Sequence, residues 1–224
     1  MLELKSLTKE ELYIRPATRE ECKEFILNKH YAQRMPNVKF AFALVMFDKV
    51  VGVLTIGKPA SPHLCFGIMG KEHSDKVYEL NRLVVNDGLP KNINSFFVGA
   101  VLRSLKNEDL ILVSYADEGM GHCGYTYQST NWIYTGKTKG RTDKYVPNGK
   151  HSRHYDEQYN HLRKVRTAKH RYVFFTDKKM RKFYMEHMNY SQMPYPKEQN
   201  SYYVLGEKYK EEVINTNTGE SFYE

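Results

Sequence analysis

The sequence predicts an α+β fold in which helices flank a mixed central β-sheet. Three observations lead to this prediction. Apolar runs of strand length alternate with two segments of helical periodicity, two of the runs are separated by only two residues, and a buried strand follows the second helix. This order places helices between strands that belong to one sheet.

The first elements are a short strand at residues 12–15 and a helix that begins after Thr18. Thr18 and Glu21 have the spacing of a capping box, in which the hydroxyl and the carboxylate each accept a backbone N–H bond at the helix start. Pro36 prevents this helix from continuing far beyond residues 30–31.

The middle of the chain supplies the sheet. FAFALVMF at residues 40–47 and VVGVLTIG at residues 50–57 flank Asp48 and Lys49, which predicts a β-hairpin. YELNRLVV at residues 78–85 is a further strand. A helix with Asn92 as its cap follows, and LILVSYA at residues 110–116 is a buried strand.

The length of 224 residues suits one main domain with an appendage. We divide it into a core at residues 1–136, a basic extension at residues 137–186 that completes the core, and a tail at residues 187–224 that packs on it. No segment resembles a signal peptide or a membrane span, and three cysteines without a CxxC pair support neither disulfides nor a zinc site. We expect a cytoplasmic protein without a membrane partner. The oligomeric state stays open, with a homodimer as one alternative.

The positive charge is concentrated in one block. Residues 137–186 contain 15 Lys and Arg and 5 Asp and Glu, a balance of +10 within a total of +8, so the rest of the chain is at about −2. Such a block favours contact with the phosphates of a nucleic acid. The alternative is a solvated basic face without a partner. The predicted DNA-binding residues are Arg141, Lys144, Lys150, Arg153, Arg163, Lys164, Arg166 and Lys169.

The segment YADEGMGHCGYTYQSTNWIYTG, residues 115–136, begins at the end of the last predicted strand, where α/β sheets bind ligands. Asp117 and His122 lie in it, and His30 comes from the end of the first helix. One carboxylate and two imidazoles are a ligand set that suits Fe(II) or Zn(II). The alternatives are that His30 and Asp117 cap helices and that His122 is a turn residue.

Tyr127 lies in the same segment, and a phenol at this place can donate a proton while its ring holds a base. Tyr31 is a weaker catalytic candidate, and Asp117 is a catalytic candidate as well as a ligand. Tyr127 as a core tyrosine and Trp132 as core packing are the alternatives.

The strand at residues 78–85 carries a polar face. Strand alternation places Glu79 and Asn81 on one side and Leu80 and Arg82 on the other. Glu79 is a candidate general base. An edge strand with one wet face is the alternative explanation.

Several of these segments resemble known families. IRPATREEC and the order of elements resemble the GNAT-type N-acetyltransferase fold. HYAQRMP, YELNRLV, the segment at residues 115–136 and KHRYVFF at residues 169–175 resemble the phage Mom family, over about residues 12–176. The resemblance implies a phage-encoded enzyme in the host cytoplasm that modifies N6 of adenine in duplex DNA, in the known case with a carbamoylmethyl group, and so protects it from restriction.

The resemblance also implies that bound iron (Fe²⁺) and acetyl-CoA take part. It favours functional roles for His30 and Asp117, assigns Tyr127 to catalysis and places Arg82 on the CoA side. One feature departs from the fold family: NDGLPKNINSFF at residues 86–97 lacks the glycine pair that cradles the CoA pyrophosphate. Asn94 and Ser95 at the helix start are the remaining candidates for binding such a phosphate.

Two other functions remain open from the sequence. One is an acyl-CoA-dependent N-acetyltransferase that acts on a protein or a small amine. The other is a basic nucleic-acid-binding protein without catalytic activity, in which the segment at residues 115–136 is structural.

Overall fold

The computed structural model describes residues 3–147, 154–197 and 204–224. The helices are α1 (Arg19–Asn28), α2 (Pro62–Met69), α3 (Ile93–Ser104), α4 (Tyr125–Ser129) and α5 (Arg181–His187). The strands are β1 (Leu12–Pro16), β2 (Phe40–Met46), β3 (Lys49–Gly57), β4 (Val77–Val85), β5 (Ile111–Asp117), β6 (Ile133–Lys137), β7 (Arg141–Lys144), β8 (Leu162–Arg166), β9 (Lys169–Phe175), β10 (Glu212–Asn215) and β11 (Ser221–Tyr223).

Seven strands form the central sheet, in the order β1-β2-β3-β4-β5-β9-β6. The β4–β5 pair is parallel and the others are antiparallel. The predicted mixed sheet is therefore confirmed, as is the β2–β3 hairpin. No described helix is long and apolar enough to cross a membrane.

The helices cover both faces of this sheet. Helix α3 packs on one face, in a cluster that includes Phe97 and the fully buried Trp132. Helices α1, α2 and α5 contribute to two further clusters, with Phe25 and Tyr184 among their buried side chains. Burial on both faces explains why the central strands read as continuous apolar runs. Trp132 is core packing, which was the alternative to a functional role.

The predicted capping box opens α1. The Glu21 amide donates to Thr18 Oγ1 at 3.2 Å, and the Thr18 amide donates to Glu21 Oε2 at 2.8 Å. Helix α2 was not predicted. It has only eight residues, lies in a stretch that begins with Ser61 and Pro62, and is almost wholly apolar, so it shows no helical alternation of polar and apolar residues.

A second sheet has four antiparallel strands in the order β11-β10-β8-β7. Strands β7 and β8 come from the basic block, and β10 and β11 come from the C-terminal end of the chain. The block at residues 137–186 thus divides between two sheets, because β9 lies in the central sheet between β5 and β6.

Strands β4 and β5 separate part of the way along their length. They pair at Val77 with Ile111, at Tyr78 with Leu112 and at Glu79 with Val113, and no pairing is formed beyond this point. Both strands continue, β4 to Val85 and β5 to Asp117. Their C-terminal halves therefore open a gap within the sheet.

Candidate active site

A cleft of about 930 Å³ lies where β4 and β5 separate. Segments distant in sequence line it, namely residues 30–31, 79–83, 91–95, 114–116, 122 and 124–129, together with Val85, Asp87, Lys169 and Leu205. Nine predicted site residues meet here: His30, Tyr31, Glu79, Arg82, Asn94, Ser95, His122, Tyr127 and Lys169.

A β-bulge explains why Glu79 and Arg82 both reach the cleft. In the β3–β4 register, Thr55 pairs with Arg82 and Ile56 pairs with Leu80, so Asn81 is an extra residue on β4. The simple alternation predicted from the sequence is therefore wrong at this point, because a bulge changes the direction of the side chains that follow it. The Asn81 side chain is held outside the ladder by Thr55 Oγ1 at 2.7 Å and the Asn37 carbonyl at 2.8 Å.

Glu79 and Arg82 are the charged residues that β4 contributes to the cleft. Burial raises the pKa of the Glu79 carboxyl, although the positive charges of Arg82 and Lys169 oppose this. The Arg82 guanidinium donates to the carbonyls of Asn81 at 2.6 Å and Arg34 at 2.9 Å. Its Nε is buried and has no hydrogen-bond partner among the residues that the structure describes. Glu79 is thus a stronger base than an exposed glutamate, and Arg82 keeps a donor that no described residue uses.

Tyr127 lies between the cleft and the core. Its ring packs against Trp132 and Tyr172, at centroid distances of 5.2 and 5.3 Å. Ser114 Oγ is 2.8 Å from both the Tyr127 hydroxyl and the Leu80 carbonyl. Because Ser114 has one proton and a carbonyl only accepts, all three groups are satisfied when Ser114 donates to Leu80 and Tyr127 donates to Ser114. Burial raises the pKa of Tyr127 to about 12.

Helix α4 is positioned by a close contact with Tyr172. The Tyr172 hydroxyl donates to the Cys123 carbonyl at 2.5 Å, and Gln128 Nε2 donates to the Tyr172 hydroxyl at 3.1 Å. Gly124 precedes the helix with φ of 90°, and a Cβ there would come within 2.4 Å of the Tyr172 ring. Glycine is therefore required by both backbone conformation and space.

We expect Gly124→Ala to displace α4 and with it Tyr127. Because the added methyl group meets a buried ring and the backbone is strained, the loss of stability should exceed about 1 kcal/mol. Thermal unfolding measures this loss. Gly88→Ala is the matched control, since Gly88 also has a positive φ, of 74°, but a Cβ there has no atom within 4 Å. Equal losses in the two variants would contradict the role given to the Tyr172 contact.

His30 and Tyr31 form the wall of the cleft at the end of α1. Their rings lie 4.2 Å apart, and His30 is buried. Burial, followed by the positive charge of Arg82, lowers the pKa of His30 to about 3, so the ring is neutral at physiological pH. His30 Nδ1 accepts a hydrogen bond from the Ala32 amide at 2.9 Å.

Asp117 is absent from the cleft lining. Its Oδ1 accepts from the Gly119 amide at 3.0 Å and from the Thr167 hydroxyl at 2.5 Å, and its Oδ2 lies 2.7 Å from Lys169 Nζ. It caps the short turn that follows β5, which is the alternative role considered for it from the sequence. We therefore treat Asp117 as a residue that positions Lys169, and not as a group that contacts a substrate.

The predicted iron set of His30, Asp117 and His122 does not fit the structure. Both oxygens of Asp117 are already bonded. The neutral ring of His30 accepts a hydrogen bond at Nδ1, so its proton is on Nε2 and neither nitrogen has a lone pair left for a metal. A histidine that binds a metal through one nitrogen usually donates a hydrogen bond from the other. Among the described residues, no three His, Cys, Asp or Glu side chains are grouped so that they could hold a metal ion. The mechanism that we propose therefore has no step at an iron ion.

The start of α3 lines the opposite wall. This twelve-residue helix begins at the cleft, and its first amides have no partners within the helix. The side chains that line the cleft here are Lys91 and Asn92, just before the helix, and Asn94 and Ser95 in its first turn. Asn92 is the N-cap residue of α3, as predicted, but its φ is 67° and its side chain makes no capping bond. Ser95 Oγ is 2.6 Å from Ser129 Oγ, which connects α3 to α4.

The structure separates the predicted DNA-binding residues into groups. Lys164, whose side chain is 12% exposed, pairs with Glu211, and Arg166 pairs with Glu211 and with Asp143, the latter at 2.8 Å. These ion pairs stabilise the second sheet and neutralise part of the charge that Lys164 and Arg166 could offer to a phosphate. Lys169 pairs with Asp117 at the cleft. Lys150 and Arg153 lie outside the described residues.

Arg141, Lys144 and Arg163 remain on the second sheet. The Arg141 side chain is 72% exposed and lies 3.2 Å from Asp143, and Lys144 lies over the ring of Tyr155 at 3.8 Å. The segment that leads into β10 of the second sheet lies beside the cleft, since the Tyr209 amide donates to the Tyr31 carbonyl at 3.2 Å.

The cleft residues that were not predicted from the sequence include Ser114, Lys91 and Leu205. Ser114 had a visible signal, a single hydroxyl within the apolar run ILVSYA. Lys91 is a cation directly before a helix start. Leu205 had no signal, because nothing in its neighbourhood indicates that the chain returns to the cleft after residue 200.

Comparisons with a family model and with a curated protein lead to the same family. The model of the Mom protein family matches residues 11–197. The methylcarbamoylase Mom of Escherichia phage Mu is 29% identical over 119 residues, which are 51% of this chain and 49% of that protein. The chain thus matches about half the length of this curated relative.

Solved structures with a similar arrangement are acetyltransferases. A GNAT family acetyltransferase from Elizabethkingia anophelis with acetyl-CoA bound has a TM-score of 0.47 and 13% identity, covering 75% of this chain and 99% of that one. An N-acetyltransferase from Staphylococcus aureus Mu50 has a TM-score of 0.47 and 13% identity, covering 74% and 99%. At TM-scores this low, neither similarity supports a statement about cofactor or substrate.

The family match extends over most of the chain and includes nearly every segment that lines the cleft. The chain belongs to the Mom protein family.

Proposed function

We propose that this protein is a transferase that adds a small acyl or carbamoylmethyl group to the N6 amine of adenine in DNA, a modification that protects phage DNA from restriction. The observation that carries the proposal is that three separate segments of the family match line one cleft, at residues 30–31, 79–82 and 122–127. The Mu relative is named a methylcarbamoylase, and we transfer that class of activity to this chain as part of the proposal.

The cleft suits the chemical problem. The adenine amine is a weak nucleophile because its lone pair is delocalised into the ring, and in a duplex the base is stacked and paired. An enzyme must extrude the base and hold it against an activated donor. A volume of about 930 Å³ accommodates a base together with a donor group.

Two residues are placed for proton transfer. As the new N–C bond forms, the amine must lose a proton, and Glu79 with its raised pKa is the acceptor in our proposal. The leaving group of the donor must gain a proton, and the neutral phenol of Tyr127 supplies it through its hydroxyl. Before the reaction Tyr127 donates to Ser114 Oγ, 2.8 Å away. Once the phenol has given its proton to the leaving group, Ser114 turns its own proton from the Leu80 carbonyl to the Tyr127 phenolate.

Residues that could hold an acetyl-CoA type of donor lie at the start of α3. Lys91, Asn94 and Ser95, at a helix start whose first amides have no partners within the helix, fit an anionic phosphate group even though the glycine pair is missing. Such a donor would supply an activated acyl group. The buried Arg82 Nε is a further donor for an anionic or carbonyl oxygen.

Mass spectrometry of nucleosides tests the proposal. DNA from cells that express the protein should contain a modified deoxyadenosine, and DNA from cells that express Tyr127→Phe should contain little of it. Unmodified DNA together with acetylated amines would instead support an N-acetyltransferase. Unmodified DNA without any acetylated product, while DNA binding persists, would support a binding protein without catalytic activity.

The second sheet should hold the DNA backbone through Arg141, Lys144 and Arg163. We expect their combined replacement by Gln to weaken DNA binding and to reduce the slope of log K against log salt by about 0.9 for each phosphate that the variant no longer neutralises. Fluorescence anisotropy over a range of salt concentrations measures both quantities. The matched control replaces three exposed lysines outside this sheet, Lys9, Lys71 and Lys106, by Gln. An equal change of slope in the control would show that only net charge matters.

A further inference from the structure

The C-terminal part of the chain returns to the cleft through residues 204–209, which we call the strap. The Gly206 amide donates to the Lys29 carbonyl at 3.0 Å, and Gln33 Nε2 donates to the Gly206 carbonyl at 2.9 Å. The Tyr209 amide donates to the Tyr31 carbonyl at 3.2 Å. Three hydrogen bonds therefore tie the strap to residues 29–33, the segment that contains His30 and Tyr31.

Leu205 fixes the strap at the side of the cleft. It packs against the buried cluster that includes Phe25 and Ile26 of α1, and it also lines the cleft. The neighbouring Val204 is 60% exposed, so of these two adjacent aliphatic residues Leu205 is the one that packs against the protein. An apolar side chain between the helix and the cleft forms part of the wall that a substrate meets.

Gly206 allows the close approach of the strap to α1. Its φ is 84°, and a Cβ there would lie 3.2 Å from the Asn28 carbonyl oxygen. The backbone after it continues to Glu211, which pairs with Lys164 and Arg166, and to β10, which pairs with β8. The strap thus connects the wall of the cleft directly to the basic sheet.

This strap lies beyond the part of the chain that the family model matches, which ends at residue 197. We propose that the strap is a positioning element of the active site. It holds the His30–Tyr31 segment in place and supplies Leu205 as a wall of the substrate cleft. Its effect on catalysis rests on the proposed function, whereas its effect on the position of residues 29–33 does not.

The test compares two glycines of the C-terminal part of the chain. Gly206→Ala adds a methyl group beside Asn28, and Gly219→Ala is the matched control, because Gly219 has φ of 79° and a Cβ there has no atom within 4 Å. Both variants carry the same backbone strain, but only the first disturbs the contact with α1. The first readout is amide hydrogen exchange at Ala32 and Gln33, whose N–H groups donate to His30 Nδ1 and to the His30 carbonyl. The second is the yield of modified nucleoside.

We expect exchange at Ala32 and Gln33 to be about tenfold or more faster in Gly206→Ala than in Gly219→Ala, with a fall in modification of similar size. Unchanged exchange would overturn the proposal whatever the activity. Faster exchange with unchanged modification would also overturn it, since the site would then not need the strap. If the unaltered protein modifies no DNA, faster exchange still supports the positioning role while the proposed function fails.

A second pair of variants keeps the proposal testable if Gly206→Ala does not fold. Leu205→Ala removes the apolar wall but keeps the backbone bonds, and Val204→Ala is its neighbour with an exposed side chain. We expect Leu205→Ala to raise KM for DNA by about tenfold with a smaller change in kcat, because it removes a binding contact. Equal KM values for the two variants would contradict the role of Leu205 as a cleft wall.

Discussion

Replacement of Tyr127 by Phe is expected to lower kcat by about 10²–10⁴-fold, the usual contribution of a positioned general acid. The change keeps the ring against Trp132 and Tyr172 and removes only the hydroxyl. DNA affinity should not change, and removal of the hydrogen bond to Ser114 should cost about 1 kcal/mol of stability. Single-turnover kinetics and anisotropy measure the effects on rate and affinity separately.

Tyr134→Phe is the matched control for this prediction. Tyr134 is buried, packs against the same Tyr172 ring, and has its hydroxyl 2.9 Å from His170 Nδ1, but it does not line the cleft. A similar loss of kcat in both variants would mean that hydroxyl deletions act by disturbing the core, and Tyr127 would lose its catalytic assignment.

The pH dependence of the rate offers a second check on Tyr127. Because burial raises its pKa to about 12, the phenol keeps its proton throughout the physiological range. The rate should therefore show no alkaline decline caused by this residue until the pH approaches about 12. A decline near neutral pH that disappears in Tyr127→Phe would contradict the role of a neutral acid.

Much of the fold follows from local sequence. Hydrophobic periodicity gives β2, β3, β4, α3 and β5, and the Thr18–Glu21 capping box fixes the start of α1 to the residue. The order of strands does not follow in this way. Strand β9 enters the sheet between β5 and β6, and this depends on pairings between residues that are far apart in the chain.

The candidate site could be predicted as a set of residues but not as an arrangement. Local chemistry indicates His30 and Glu79, the family resemblance adds Tyr127, and the structure places all three at one cleft. The bulge at Asn81 could not be predicted, because it depends on the register with β3. The bonding of Asp117 to Thr167 and Lys169 was also invisible, since those residues come from the chain after β8.

The distribution of charge, like the arrangement of the site, could be predicted only in part from the sequence. Composition shows that the positive charge is concentrated in residues 137–186, but it does not show which of these cations are paired with carboxylates in the fold. Glu211, from a segment that is distant in sequence, neutralises part of the charge on Lys164 and Arg166. A count of positive residues therefore overstates the positive surface available to DNA. A prediction of the binding residues also requires the position of the C-terminal segment that contains Glu211.

Glu79→Gln should lower activity and raise stability at neutral pH. If Glu79 is the base that accepts the amine proton, its loss should reduce kcat by about 10²–10⁴-fold, because Gln is isosteric but cannot accept a proton at this pH. Substrate binding should be nearly unchanged. Glu72→Gln, at an exposed position, is the control and should leave both activity and stability as they are.

The stability effect follows from the direction of the pKa shift. Burial raises the pKa of Glu79 above its value in the unfolded chain, and this outweighs the attraction of Arg82 and Lys169. A group with a raised folded-state pKa contributes stability that is fully present below its unfolded pKa and is lost as the pH rises through the folded value. Above the folded-state pKa the ionised carboxylate therefore destabilises the fold, and Gln removes that cost.

The gain in melting temperature for Glu79→Gln should accordingly be largest at neutral pH and should shrink as the pH falls towards the ordinary range of a glutamate. Thermal unfolding of both proteins between neutral pH and about pH 4 measures this trend. A gain that does not depend on pH would assign it to packing. A loss of stability at neutral pH would show that the ion pairing with Arg82 and Lys169 outweighs burial, and Glu79 would then be a structural anion with an ordinary or lowered pKa. The desolvation of Glu79 has two effects. It lowers the stability of the fold, and it strengthens the affinity of the carboxylate for the proton of the substrate, which is what a catalytic base in a buried cleft requires.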